Sequence, residues 1–176
     1  MNYIARSLET VIGEAAKEYP IVLVTGPRQV GKTTMLQKMM EGTDRGYVSL
    51  DDLNERNLAK TDPQLFLELH KPPVLIDEVQ YAPEIFTYIK IHVDSHHEAG
   101  AFWLTGSQVF KLMKGVQESL AGRIAVLSMT TLSQAEISGV QASPLCVALS
   151  ELQTRAKDRK KMDAGEVFER IFRGSM

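Results

Sequence analysis

The sequence predicts an α/β fold of three layers, a five-stranded parallel sheet with helices on both faces. Short β-branched and apolar runs recur between Ile21 and Ser128, too brief for helices and bounded by turn residues. Between them lie stretches with apolar residues three and four apart, the spacing of a helix with one buried face. The first apolar run passes through a glycine-containing turn straight into a helix-forming segment. Strands alternating with helices in this way make a parallel sheet buried on both sides.

A helix precedes the first strand, Ile21 to Thr25. After the turn, Met35 to Glu41 favours helix and Gly42 closes it. The second strand is Tyr47 to Leu50. Asp62-Pro63 supplies a cap and a first-turn proline for the next helix, with Leu65, Phe66 and Leu69 as its apolar stripe, and Lys71-Pro72-Pro73 stops it. The third strand is Val74 to Asp77. Pro83 opens a helix carrying Ile85, Phe86, Ile89 and Val93 on one face. The fourth strand, Ala101 to Thr105, leads to a helix from about Val109 to Leu120 that ends near Gly122, and Ala125 to Ser128 is the fifth. Beyond it, Ser133 and Glu136 have capping-box spacing. The basic run Arg155 to Lys161 is read first as a solvated helix face or linker, with nucleic-acid contact as the alternative. An amphipathic helix (Val167, Phe168, Ile171, Phe172) begins near Ala164, and the natural protein is expected to continue past Met176.

At 176 residues, 44% hydrophobic and 24% charged, the chain is long enough for a buried core without disulfide or metal. A net charge of −2 excludes global attraction to nucleic acid. The single cysteine, Cys146, fits a reducing compartment. No run approaches the length of a membrane helix or a signal peptide's apolar core. The expected location is the cytoplasm, with no membrane partner.

The turn reads Gly26-Pro27-Arg28-Gln29-Val30-Gly31-Lys32-Thr33-Thr34, matching G-x-x-x-x-G-K-[ST] between a strand and a helix. In that setting the turn's N–H groups and the positive end of the helix dipole face one anion. Lys32 would reach the β- and γ-phosphates of a nucleoside triphosphate, and the Thr33 hydroxyl would hold Mg²⁺. An ordinary glycine turn would not need both flanks. The third strand ends in Asp77-Glu78; Asp77 is assigned to the metal and Glu78 to polarising a water for in-line attack. The fourth strand ends in Gly106-Ser107-Gln108, and Ser107 or Gln108 is a candidate to sense the γ-phosphate or orient that water. Ser107 can also cap the following helix. Ligands of open parallel sheets bind at the carboxyl ends of strands, so these segments converge on one edge. Arg123 precedes the fifth strand and therefore lies at the opposite edge, where it can serve a neighbouring subunit's γ-phosphate or pair on the surface with Glu118. His92, His96 and His97 extend the apolar stripe of their helix; no third ligand supports a metal site, and partly buried helix residues are expected.

Taken with Leu50-Asp51-Asp52, Ile76-Asp77-Glu78-Val79-Gln80, Leu104-Thr105-Gly106-Ser107-Gln108 and Ser119-Leu120-Ala121-Gly122-Arg123, the phosphate loop resembles a prokaryotic family of AAA+-type P-loop ATPases whose C-terminal domain is described as restriction-endonuclease-like. The resemblance covers residues 1 to about 140. It implies a sheet order of 5-1-4-3-2, Lys32 and Thr33 as Walker A, Asp77 and Glu78 as Walker B, Ser107 or Gln108 as sensor, and Arg123 as an arginine finger acting in trans in a homo-oligomer. Residues 141–176 would be a linker and the start of the C-terminal part, with Ile171-Phe172-Arg173-Gly174 at its entry. ATP rather than GTP is implied by the resemblance, since no guanine-reading N/T-K-x-D motif follows the fourth strand. The leading expectation is an ATPase that uses ATP and Mg²⁺ to drive or time an attached domain. A nucleotide-gated switch or scaffold with negligible turnover, or a small-molecule kinase, would share the phosphate loop; Glu78 argues against the kinase, which has no water to activate.

Overall fold

The computed structural model describes residues 3–107, 116, 119–139, 149–157 and 162–173, the side chains of residues 151, 155, 170 and 173 apart. The chain forms two compact units, residues 8–130 and residues 1–7 together with 131–176. In the larger unit the order is α1 (Leu8–Glu18), β1 (Ile21–Thr25), α2 (Lys32–Met40), β2 (Gly46–Ser49), α3 (Leu53–Thr61), α4 (Pro63–Leu69), β3 (Val74–Asp77), a 3₁₀ turn (Val79–Tyr81), α5 (Ile85–His96), β4 (Phe102–Gly106) and β5 (Ile124–Ser128). The sheet is parallel in the order β2-β3-β4-β1-β5, the order expected, with the strand ends displaced by one residue in places.

β1 is an interior strand between β4 and β5, and all five of its residues are buried, so no polar alternation is possible. Ile21 and Leu23 pack on one face with Phe66, Phe86, Ile89 and Phe102. Val22 and Val24 pack on the other with Ile12, Met35, Leu36 and Trp103. These two apolar layers fix the sheet between α3, α4 and α5 on one side and α1 and α2 on the other, and all strands present their carboxyl ends at one edge.

Three local expectations are corrected. α3 was not foreseen, because Ala59 is its only fully buried residue and Leu53 is exposed; the Asp52 carboxylate starts it by accepting from the N–H groups of Asn54 and Glu55 at 2.7 and 3.2 Å. The inward face of α4 carries Pro63, Phe66 and Leu67, leaving Leu65 and Leu69 exposed on the opposite side. With 100° per residue, positions 63, 66 and 67 share a face that 65 and 69 do not. His92 is half-buried as expected, but His96 and His97 are exposed, because α5 ends at His96 and His97 turns away with a left-handed φ of 53°. Among the described residues no three ligand-type side chains form a metal-holding group. The helix expected from Val109 lies mostly outside the described residues, as does Cys146; Val116 and Leu120 of its stripe are buried.

At the amino edge of the sheet Arg45 stacks over Trp103, its guanidinium carbon 4.0 Å from the ring centroid, and donates to the carbonyls of Gly100 (2.8 Å), Val74 and Ala101. Burial lowers this guanidinium to a pKa of about 10.

The smaller unit contains α6 (Gln134–Ile137), α7 (Leu149–Lys157) and α8 (Ala164–Arg173). Ser133 and Glu136 form the expected capping box. Glu136 also accepts from Arg6 Nε at 3.2 Å and from the Ser7 N–H at 2.8 Å. Burial alone would raise the Glu136 carboxyl, but the backbone donors Ser133 and Ser7, the Ser133 hydroxyl and Arg6 outweigh it and bring it to about 2. Because the folded value lies below the ordinary 4.5, the contribution is complete above about pH 4.5 and is lost as pH falls through 2. Glu136→Gln is expected to destabilise this unit at pH 7 by an amount on the order of 3 kcal/mol, and urea titrations of variant and wild type should converge near pH 2. A pH-independent difference would place the effect in packing. The basic run from Arg155 falls partly on α7 and partly outside the described residues. No helix among the described residues is long and apolar enough to cross a membrane.

Candidate active site

The loop between β1 and α2 has a conformation that its glycines permit. Gly26 takes φ 145° and passes so close to β5's exit that a Cβ would stand 2.1 Å from the Met129 carbonyl oxygen. Gly31, at φ 90°, caps α2 in the left-handed region. Gln29 also has positive φ, 63°, and Val30 packs into the apolar layer beneath the loop. The loop borders a cleft of about 470 Å³ lined by Arg28, Gln29, Gly31, Lys32, Thr33, Thr34, Asp51, Glu78 and Tyr81.

Lys32 is buried, and its Nζ donates to the Pro27 carbonyl at 2.7 Å and the Gly26 carbonyl at 3.1 Å. Burial lowers its pKa against the attraction of Glu78 and Asp77, with Arg28 adding to the lowering. Phosphate oxygens brought beside this ammonium would oppose that lowering and favour its charged form, so the site gains most from an anionic occupant.

Asp77, buried at the end of β3, accepts from the Thr33 hydroxyl at 2.8 Å, from the Thr105 hydroxyl, and from Tyr47 Oη at 3.5 Å. Burial, with the nearby Asp77 charge, pushes the Tyr47 phenol up. Thr105 in turn accepts from the Glu78 N–H at 3.1 Å, joining the ends of β3 and β4. Glu78 has left-handed φ 58°, a turn that starts the 3₁₀ segment directly after the strand. Its carboxylate accepts from Gln80 Nε2 and, at 3.1 Å, from the Ser107 hydroxyl; Ser107 accepts from Gln80 as well, at 3.3 Å. Lys32, Thr33, Asp77, Glu78 and Ser107 are therefore brought together, as the sequence predicts. Gln108 lies outside the described residues.

Arg123 stands elsewhere. It immediately precedes β5, and its carbonyl accepts from the Ile21 N–H at the beginning of β1. Strands of five residues separate it from the carboxyl edge by about 15 Å at 3.3 Å per residue. Its partner among the described residues is Asp94 of α5, Nε and Nη2 donating to the two Asp94 oxygens at 2.5 and 3.0 Å; Glu118, the alternative partner considered from the sequence, lies outside the described residues. This hydrogen-bonded pairing raises the arginine's pKa and lowers the aspartate's.

Thr105, Tyr47 and Gln80 are site residues that sequence reasoning passed over. Thr105 carries a legible signal, a hydroxyl within the fully buried run Phe102-Trp103-Leu104. Tyr47 and Gln80 have none, since their roles depend on how neighbouring strands register.

Fold and cleft together define a P-loop NTPase domain: a parallel 5-1-4-3-2 sheet, a glycine-bounded loop leading into a helix, and acids at the end of β3. A family model described as an AAA domain matches residues 18–138, and the chain belongs to that family. The uncharacterized protein Rv2008c of Mycobacterium tuberculosis is 32% identical over 127 residues, which are 72% of this chain and 28% of that protein. This chain thus spans little more than a quarter of that relative's length. Among solved structures, the Walker-type ATPase PABY2304 of Pyrococcus abyssi superposes with a TM-score of 0.53 at 18% identity, covering 76% of this chain and 55% of that one. The RuvB Holliday junction branch migration motor of Thermotoga maritima gives 0.50 at 17% identity over 75% and 47% of the two chains. At these identities the two structures share the fold. The chain is an AAA-type P-loop ATPase domain.

Proposed function

We propose that this domain binds ATP with Mg²⁺ and hydrolyses it, and that the cycle drives or times an attached C-terminal region. The observation that carries the reading is the meeting at one edge of a buried lysine, a 2.8 Å hydroxyl–carboxylate pair and a second carboxylate held by Ser107. The donor set fits the metal: Thr33 and Asp77 offer hard oxygens side by side, the kind Mg²⁺ takes alongside phosphate and water. Bound there, the ion supplies charge neutralisation to the phosphates. The loop N–H groups from Arg28 to Thr34 wrap the phosphates, and Lys32 offsets charge on the β- and γ-oxygens. Glu78 holds a water and takes its proton as the water oxygen bonds to the γ-phosphorus and ADP departs from the far side. Ser107 orients the Glu78 carboxylate, and Gln108, next in sequence, is the alternative sensor. The nucleotide unit is read as residues 1–140, with 141–176 as linker and the beginning of a further domain. A cytoplasmic homo-oligomer in which Arg123 serves the neighbouring site belongs to the same reading; contact with nucleic acid through Arg155–Lys161 is subsidiary to it.

The hold of Gln80 and Ser107 on Glu78 favours one second reading, a nucleotide-gated switch in which that carboxylate is kept from the water. Steady-state phosphate release separates the two, and acceptor-dependent ADP formation would reveal a kinase. Lys32→Ala should weaken ATP binding at least about tenfold, because the buried ammonium has no substitute opposite the phosphates. Calorimetry giving equal affinities for variant and wild type would sink the phosphate-loop assignment.

A further inference from the structure

Arg28 is exposed at the second position after Gly26 and lines the cleft together with Lys32, Thr33 and Glu78. Among the described residues it makes no ion pair: Asp51, the other carboxylate of the cleft wall, pairs with Arg56 at 3.6 Å instead. What Arg28 does have is a neutral acceptor, the Tyr81 hydroxyl, to which Nη2 donates at 3.1 Å. That acceptor is fixed. The Tyr81 ring lies under the Arg56 guanidinium, 3.9 Å from carbon to centroid, and Arg56 is anchored by a 2.7 Å hydrogen bond to the Leu50 carbonyl at the end of β2. Tyr81 also closes the 3₁₀ turn that begins immediately after Glu78, so the tether holds Arg28 on the Glu78 side of the cleft.

A phenol oxygen is a weaker partner for guanidinium than a phosphate, which accepts two charge-assisted N–H bonds in one plane. An arginine beside the water-activating carboxylate, with no carboxylate of its own, suits an anion at the far end of a triphosphate. On the nucleotide-binding reading the loop N–H groups and Lys32 would already serve the β-phosphate. We infer that Arg28 is a cation supplied by the chain itself for the terminal phosphate, parked on the Tyr81 hydroxyl and transferred to the γ-phosphate oxygens when a triphosphate binds; this rests on the nucleotide-binding reading of the cleft. The Arg56–Tyr81 stack is its positioning element, linking the end of β2 to the phosphate loop. Arg28 then distinguishes triphosphate from diphosphate, which no backbone donor of the loop does by charge.

The test is calorimetric titration of the protein with Mg²⁺-AMP-PNP and Mg²⁺-ADP, together with phosphate release from ATP. Arg28→Gln should weaken AMP-PNP binding by about tenfold, leave ADP within about twofold and lower turnover, while Arg28→Lys keeps the charge and recovers part of each loss. Tyr81→Phe removes the competing acceptor and should strengthen AMP-PNP binding without moving ADP. Equal weakening of both nucleotides by Arg28→Gln, or no weakening of either, overturns the assignment. An unchanged or weaker AMP-PNP affinity in Tyr81→Phe overturns the parking role. If wild-type protein binds neither nucleotide, the reading of the cleft fails at its root, a result distinct from selective binding that ignores Arg28.

Discussion

Glu78→Gln is expected to lower ATP turnover by a factor of about 10² or more while ATP affinity stays within about threefold of wild type. The substitution keeps the side chain's length and its acceptor oxygen toward Ser107, so the link between the ends of β3 and β4 survives. It also keeps the backbone N–H that donates to the Thr105 hydroxyl. What disappears is the capacity to take a proton from water. Asp77, not Glu78, is hydrogen-bonded to Thr33, so the proposed metal pair is untouched. Single-turnover phosphate release and equilibrium binding together check the split. Unchanged turnover would remove Glu78 as base, whereas loss of both binding and turnover would reassign it to metal or structure.

The expected separation of binding from chemistry follows from where the sequence is legible. The strands could be read because a parallel sheet buried on both faces writes continuous apolar runs such as Ile21 to Val24 and Val74 to Ile76. Lys32 and Thr33 could be read from the loop spacing that leads into α2, and Asp77, Glu78 and Ser107 because each sits at or just past a strand's carboxyl end, where topology alone makes them converge. α3 escaped because a helix held by the Asp52 cap and one buried alanine has no stripe to recognise. The inward face of α4 escaped because Leu65 and Leu69 are as apolar as the residues that pack. Pairings between distant positions, such as Arg6 with Glu136, Arg45 with Trp103 and Arg123 with Asp94, leave no local trace, since each partner alone resembles an ordinary surface charge or core aromatic. The same holds for the tether between Arg28 and Tyr81: the loop spacing identifies the phosphate cradle but does not say where its arginine rests.

Arg123→Ala is expected to reduce turnover by about 10³ in an assembled protein while leaving ATP affinity of the single domain unchanged. The argument is geometric. Arg123 lies at the amino edge of the sheet, about a full strand length from the cleft, so its own γ-phosphate is out of reach. Its guanidinium is oriented by both oxygens of Asp94, which presents it on a surface rather than folding it inward. An exposed pair of this kind contributes little to stability, so the alanine variant should fold and its defect should be one of rate. Mixing decides whether the arginine acts across subunits. Arg123→Ala protein carries an intact phosphate loop, and Lys32→Ala protein carries an intact arginine; each is expected to be inactive alone. Combined in full-length form, they should recover activity that rises with protein concentration, because mixed interfaces unite the two intact halves. Mixed proteins that co-assemble by light scattering yet stay inactive would return Arg123 to the role its contacts already describe, an α5–β5 surface pair with Asp94.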